Sequence, residues 1–292
     1  MLTKQQALQR LKADIQLRGL SKHTHESYMI RVRKFLEFCN RPIEELDEMD
    51  VRQYLVSLIA GNRLSPITVN SYSAAIRFFF AVTLNRTMNY LQIPRYKAPK
   101  ELPEILTRDE VAQLITASSY NIKHEAFILL GYGSGLRVSE VASLKAEDID
   151  SESMRVLVRG GKGKKDRYTI LSERTLIVLR NYWRKYRPKS PEGYLFPGVK
   201  NIGHITNSGI SFAFNTILRK TNIKKKRISF HSLRHGFATH LLEDGHSILQ
   251  IKEMLGHSSL SSTSIYLRLA NTTANVTSPA DKISEKFEDC AI

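Results

Sequence analysis

From Pro94 to Pro103 three prolines fall within ten residues, in the stretch Ile93-Pro94-Arg95-Tyr96-Lys97-Ala98-Pro99-Lys100-Glu101-Leu102-Pro103. Each proline removes a backbone donor and drives the residue before it toward extended backbone, so no helix runs through this stretch. The chain is thereby cut into two blocks, and its 292 residues suffice for a core in each. This reading places an N-terminal domain at 1–97, a linker at 98–103 and a second domain at 104–292.

In the first block apolar residues recur at helical spacing: Leu8, Leu11, Ile15; Tyr28, Val32, Phe35, Leu36; Val51, Tyr54, Leu55, Leu58; Val69, Tyr72, Ile76, Phe79. Four helices are the simplest account. Ser65-Pro66 supplies an N-cap and a first-turn proline, and Ser21 or Thr24 caps the second helix. The second block opens on Thr107-Arg108-Asp109-Glu110, a capping box ahead of Val111, Leu114 and Ile115. It is mostly helical, with patterns at 172–186, 210–220, 232–242 and 248–255. One segment differs: Met154–Val158 and Arg167–Leu171 are β-prone runs around a Gly/Lys-rich turn, which predicts a hairpin or small sheet. The fold class is therefore mainly α, a four-helix domain followed by a mostly α domain with a small β element.

Lys and Arg number 44 against 28 acidic residues, a net charge of +16 that favours a polyanionic partner. Cys39 and Cys290 make neither a disulfide framework nor a zinc site. The first residues have no apolar signal core and no run of about 18 apolar residues occurs, so the expectation is a cytoplasmic protein with no membrane partner.

The chemistry concentrates near the C-terminus. His231-Ser232-Leu233-Arg234-His235 is followed by Leu255-Gly256-His257 and then Tyr266. Arginine grips a phosphate through two parallel hydrogen bonds, histidine moves protons near neutral pH, and a tyrosine oxygen can become a covalent nucleophile. Together they suggest phosphoryl transfer through a phosphotyrosine. Residues 231, 234 and 235 share one face of a helix whose Leu233, Phe237, Leu241 and Leu242 form an apolar stripe. Upstream, Gly133-Ser134-Gly135-Leu136-Arg137-Val138-Ser139-Glu140 offers a second arginine after a glycine turn, with a carboxylate at i+3. Two arginines match the two non-bridging oxygens of a phosphodiester, which gain charge in a five-coordinate transition state. A plain helix ion pair between Arg137 and Glu140 is the competing account.

The turn Arg159-Gly160-Gly161-Lys162-Gly163-Lys164-Lys165-Asp166-Arg167 lacks the P-loop spacing and leads into a strand. A lysine at a hairpin tip suits protonation of a departing alkoxide in a DNA groove; a solvated basic turn is the alternative. The histidines do not fit a metal site: the spacing is not His-Glu-x-x-His, no cysteine pair assists, and the arginines repel a cation. The basic run from Arg219 to Arg227 reads as phosphate contact or a solvated loop.

Arg137, Lys162, His231-x-x-Arg234, His257 and Tyr266, in that order, resemble the motif set of the tyrosine recombinases, the phage integrase family. Gly-Leu-Arg-Val-Ser-Glu at 135–140, the run 231–242 and Leu-Gly-His-Ser-Ser-Leu-Ser-Ser-Thr-Ser-Ile-Tyr at 255–266 look like its signature segments. The resemblance spans nearly the whole chain and is most similar to Xer-type recombinases. It implies a SAM-like core-binding domain, a catalytic domain, and a clamp of the two around duplex DNA. It assigns Arg137 and Arg234 to the scissile phosphate, Lys162 to the leaving 5′-oxygen, His231 to proton transfer at the tyrosine, His257 to a phosphate hydrogen bond, and Tyr266 to attack, with Glu140 in support. The hairpin also offers Lys164 and Lys165, so Lys162 rests on the Gly-Lys-Gly match alone. No cofactor and no metal are implied. The implied partners are duplex DNA with inverted half-sites and other protomers, as a homotetramer or a heterotetramer with a related recombinase, joined by exchange of the C-terminal tail 270–292. Two other functions stay open: a DNA-binding accessory factor that does not cut, and a type IB topoisomerase-like activity that needs no paired sites.

Overall fold

The structure is a computed structural model, and it describes residues 2–61, 64–89, 93, 95–96, 102–160 and 166–270. Lys162, Lys164 and Lys165, most of the proline-rich stretch and the tail beyond Ala270 lie outside the described residues. The chain divides into two units, Met1–Lys100 and Glu101–Ile292.

In the first unit the helices are α1 (Lys4–Leu17), α2 (Lys22–Phe38), α3 (Glu48–Ala60) and α4 (Pro66–Phe78). Each starts where a side chain accepts from the unpaired amides of its first turn: Thr3, Ser21, Asp47 and Ser65. Leu11, Val32, Phe35, Leu46, Val51 and Ile76 face one another in its core. Directly after α4 the residues Phe79–Thr83 form a π-turn, closed by the Leu84 amide donating to the Phe79 carbonyl. Phe79 and Phe80, adjacent in sequence, are both buried in the core at this widened turn.

The second unit begins with α5 (Arg108–Ser118), capped by Thr107 with the Glu110 side chain accepting from the Thr107 amide. Then come α6 (Ile122–Gly133) and the short α7 (Val138–Ala142). A sheet follows in the order β1 (Ile149–Asp150), β2 (Arg155–Val158) and β3 (Arg167–Ile170), antiparallel throughout, with Val156 opposite Thr169. The small sheet expected around the Gly/Lys-rich turn is thus present, with β2 and β3 as its hairpin; the two-residue β1 is too short to carry a periodicity of its own. The remaining helices are α8 (Glu173–Tyr186), α9 (Asn207–Leu218), α10 (Phe230–Glu243), α11 (Ile248–Leu255) and α12 (Ser264–Leu267). Among the described residues no helix is long and apolar enough to cross a membrane.

Two apolar clusters in this unit set the position of α10. Phe230 and Leu233 belong to the main core with α5, α6, α8 and α9. Phe237, Ala238 and Leu242 belong to a smaller cluster with Ile251, Leu255 and Tyr266. The helix is therefore covered on nearly all sides rather than on one stripe, and its polar residues are enclosed along with its leucines.

Gly135 lies where these parts meet, at φ +64. A Cβ there would sit 2.5 Å from Cδ1 of Phe237 and 3.2 Å from Cδ2 of Leu255. Gly135→Ala combines the left-handed penalty of about 1–2 kcal/mol with overpacking of about 1–3 kcal/mol. Chemical denaturation should show a loss of about 2–4 kcal/mol, and an unchanged midpoint would contradict the close approach.

Candidate active site

The glycine turn and α10 face each other across a cluster of charge. Arg234, on the second turn of α10, has 0% of its side chain exposed. Its Nη1 donates to the Gly135 carbonyl at 2.7 Å, its Nη2 donates to the Leu255 carbonyl, and Nη2 also donates to Nε2 of His257 at 3.2 Å. The Nε of Arg234 is buried without a protein hydrogen-bond partner. Burial, then the charge of Arg137, lowers the Arg234 pKa to about 9, against the pull of Glu140. The guanidinium still carries its charge at neutral pH.

Glu140, on α7, is the anion of this cluster. It accepts from the Arg137 amide at 2.8 Å and from Arg137 Nη1 at 2.8 Å. Arg167 forks onto both of its oxygens at 2.9 and 2.8 Å, and Arg234 Nη1 stands 3.7 Å from Oε2. Burial alone would raise its pKa, but the hydrogen bond and charge of Arg167, followed by those of Arg137, bring it down to about 2. Arg137 keeps 26% of its side chain exposed, so of Arg137 and Arg234 it is the one that meets solvent.

Three imidazoles and the phenol complete the group. His257 follows Gly256, whose φ of +65 ends α11 in the left-handed conformation. Because a guanidinium only donates, Nε2 of His257 accepts from Arg234, which puts the ring proton on Nδ1, where Thr263 Oγ1 lies at 2.9 Å. The His257 ring also stacks on Tyr266, with centroids 6.3 Å apart and planes 13° apart. The Tyr266 hydroxyl and Nδ1 of His235 share a hydrogen bond at 3.1 Å. His231, at the surface, meets the His235 ring edge-on at 4.5 Å. Tyr266 itself is 2% exposed. Burial raises its pKa and the charges of Arg234 and Arg137 oppose that rise, so the phenol holds its proton.

Burial and adjoining cations depress the imidazoles. His235 falls to about 4 through burial, then His231 and Arg234; His257 falls to about 4 through burial, then Arg234 and Arg137. Desolvation of the ring by the surrounding protein, then the charges of Arg234 and Arg137, lowers His231 as well. Unfolded, a histidine titrates near 6.5, so between pH 6.5 and 4 the unfolded chain takes up protons that the folded chain refuses. Stability is therefore complete above pH 6.5 and declines as pH falls through that window, by up to about 3 kcal/mol for each of His235 and His257. Glu140 adds a second loss as pH falls from 4.5 toward 2. Thermal unfolding across pH 7 to 4 should show a falling midpoint that His257→Gln makes shallower; a flat midpoint would contradict the assignment.

Of the residues singled out in the sequence, Arg137, Glu140, Arg234, His257 and Tyr266 come together, with His231 at the edge. The structure pairs the phenol with His235 rather than with His231, one helical turn away. Lys162 falls outside the described residues. The basic run is partly spent inside the fold: the Lys225 ammonium donates to the Ile105 carbonyl and to Glu110, and Lys220 lies over the Tyr120 ring at 3.4 Å. Arg167 and Thr263, both in the network, lie in segments singled out in the sequence but were given no role there. Among the described residues no three His, Cys, Asp or Glu side chains group to hold a metal.

Known proteins resemble this chain over most of its length. The model of the Phage integrase family matches residues 104–273, and that of the Phage integrase, N-terminal SAM-like domain matches residues 7–90. The putative integrase/recombinase y4qK of Sinorhizobium fredii is 40% identical over 271 residues, 92% of this chain and 86% of that one. Tyrosine recombinase XerA of Pyrococcus furiosus is 36% identical over 266 residues, 90% of each. The crystal structure of the XerH site-specific recombinase bound to its difH substrate, a pre-cleavage complex, shares the fold with a TM-score of 0.71 at 21% identity, over 89% of this chain and 81% of that one.

Proposed function

The chain belongs to the phage integrase family of tyrosine recombinases, enzymes that cut and rejoin DNA, and from that membership we propose that it exchanges strands between duplex DNA sites through a 3′-phosphotyrosyl link on Tyr266. Arg137 and Arg234 take the non-bridging oxygens of the scissile phosphate as phosphorus becomes five-coordinate. The Tyr266 oxygen bonds to phosphorus while the bond from phosphorus to the 5′-oxygen breaks. An imidazole of the His231 and His235 pair receives the phenol proton, and a hairpin lysine, Lys162 by its motif, protonates the 5′-oxygen. His257 reaches the phosphate only after its Nε2 leaves Arg234. An unperturbed phenol is about one part in a thousand ionised at pH 7, so proton acceptance beside fixed cations is a large share of the work. The phosphotyrosine keeps the energy of the broken diester, and a 5′-hydroxyl of another strand restores a diester by the reverse attack.

The observation that carries this reading is the connected set of hydrogen bonds and ring contacts joining Tyr266, His235, His257, Arg234, Glu140 and Arg137. Arg234 and Tyr266 are enclosed, so the site must open before the phenol can attack a phosphate. That state suits a nucleophile withheld until its partners assemble. XerH, which shares this fold, was captured on its difH substrate, and the net charge of +16 supports duplex DNA as the partner here, with inverted half-sites part of the same proposal. Four protomers on two sites, copies of this chain or of a related recombinase, belong to the same reading, as does a cytoplasmic location. The tail proposed to be exchanged lies, beyond Ala270, outside the described residues.

The test begins with a randomised duplex library from which the full chain selects its half-site. That half-site is rebuilt as a duplex nicked beside the cleavage position, so that the cut strand diffuses away and the adduct is trapped. We expect a protein–DNA species that survives denaturant and maps by peptide mass to Tyr266. Tight binding with no covalent species, or an adduct on another residue, would overturn the reading.

A further inference from the structure

Arg167 has no part in the chemistry described above, yet all three of its guanidinium nitrogens are engaged beside it. It stands at the start of β3 with 8% of its side chain exposed, so it does not present itself to DNA. Its Nη1 and Nη2 take both oxygens of Glu140 in a fork, and its Nε donates to the Met254 carbonyl at 2.7 Å. Its stem lies against Gly256, where a Cβ would come within 2.7 Å of the Arg167 Cδ.

We propose that Arg167 is a positioning residue for the phosphate clamp, holding Glu140 and the C-terminal end of α11 so that Arg137 and Arg234 keep their donors for the scissile phosphate. The proposal rests on the reading of Arg137 and Arg234 as that clamp.

The argument is one of competition for acceptors. Three guanidiniums surround one carboxylate, and a carboxylate offers about four lone-pair sites on two oxygens. Arg167 uses both oxygens in the planar, bidentate geometry that a lysine cannot reproduce. With those sites filled, Arg234 stays 3.7 Å from Oε2 and turns its nitrogens to the Gly135 and Leu255 carbonyls. Without Arg167 the freed oxygens would draw Arg234, now 3.7 Å from Oε2, into a close ion pair, and would tighten the existing 2.8 Å pair of Arg137 with Oε1, pulling both away from a phosphate. The second wall has the same owner. The Arg167 Nε holds the Met254 carbonyl, and the next carbonyl, that of Leu255, accepts from both Arg234 and Arg137. One buried side chain thus places the acidic and the carbonyl supports of the clamp.

The test compares the full chain with Arg167→Gln and Arg167→Lys on the selected nicked duplex, and includes Arg137→Ala as the reference for clamp loss. Each is run on an ordinary scissile phosphodiester and on a methylphosphonate, which lacks one charged non-bridging oxygen and so asks less of the clamp. On the phosphodiester, Arg167→Gln should form adduct about 100-fold more slowly than wild type, with half-site binding unchanged. On the methylphosphonate that gap should shrink at least tenfold, as it should for Arg137→Ala, and Arg167→Lys should fall between Gln and wild type. A general loss of structure would slow both substrates equally, so equal slowing, or an unimpaired phosphodiester rate, would overturn the proposal. If Arg167→Gln does not fold, Arg167→Lys carries the same comparison with the same criteria. If wild type forms no adduct on either linkage, the recombinase reading has failed instead, and the two failures are told apart.

Discussion

Tyr266→Phe is expected to lower covalent capture of nicked DNA by more than about four orders of magnitude while leaving half-site affinity unchanged. The variant loses one oxygen, the atom that bonds to phosphorus in the proposed reaction. Its ring keeps its place beside Phe237, Ala238 and Leu255, because the apolar cluster holds the ring and not the hydroxyl. The lost hydrogen bond to His235 should cost about 1 kcal/mol of stability, partly because the Nδ1 of His235 is left without its partner. Activity and stability are thus predicted to separate by a wide margin. Denaturant-resistant adduct forming at even a hundredth of the wild-type rate would show that another residue attacks.

The second large effect is on folding. Glu140→Ala removes the anion shared by Arg137, Arg167 and Arg234 and leaves three guanidiniums facing one another. Breaking a buried ion pair from one side costs about 3–5 kcal/mol, and here two arginines, with side chains 8% and 0% exposed, have little access to water in compensation. Glu140→Gln should do little better, since its amide turns a donor toward groups that only donate. For a domain of this size the thermal midpoint should drop on the order of 10 °C, and adduct formation should fall by at least two orders of magnitude. A Glu140→Gln protein that melts with wild type would mean that the carboxylate is dispensable to the fold, and with it the account of how the arginines are held.

Much of this architecture was legible in the residues. The helix starts at Ser21, Ser65 and Thr107 were read directly, because their side chains cap amides within three residues and no tertiary information was needed; Thr3 and Asp47 cap in the same way and were not singled out. The signature segments located the arginines, Glu140, His257 and Tyr266 because the order of these residue types is itself distinctive. What was not legible depended on packing. His231 and His235 are one turn apart on the same helix, and the partner of the phenol is decided by where α12 comes to rest. On β3 the alternation misleads: Tyr168 and Ile170 are 51% and 42% exposed, while Arg167 and Thr169 face inward. A reader of apolar periodicity turns that strand over and sends Arg167 to solvent. The single apolar stripe read on α10 fails for a related reason, since a helix held between two clusters has no free face for Arg234 to occupy.

The Leu255 carbonyl, which accepts from both clamp arginines, belongs to the main chain. Every residue type places an oxygen there, so alanine scanning would report Leu255 as one more apolar contact and pass over its share in the site. Inheritance works under the same restriction: point mutation can erase Arg137, Glu140 or Tyr266 in one step, but can reach this acceptor only by moving the backbone. The most mutation-proof member of the clamp is the one that no side-chain motif can name.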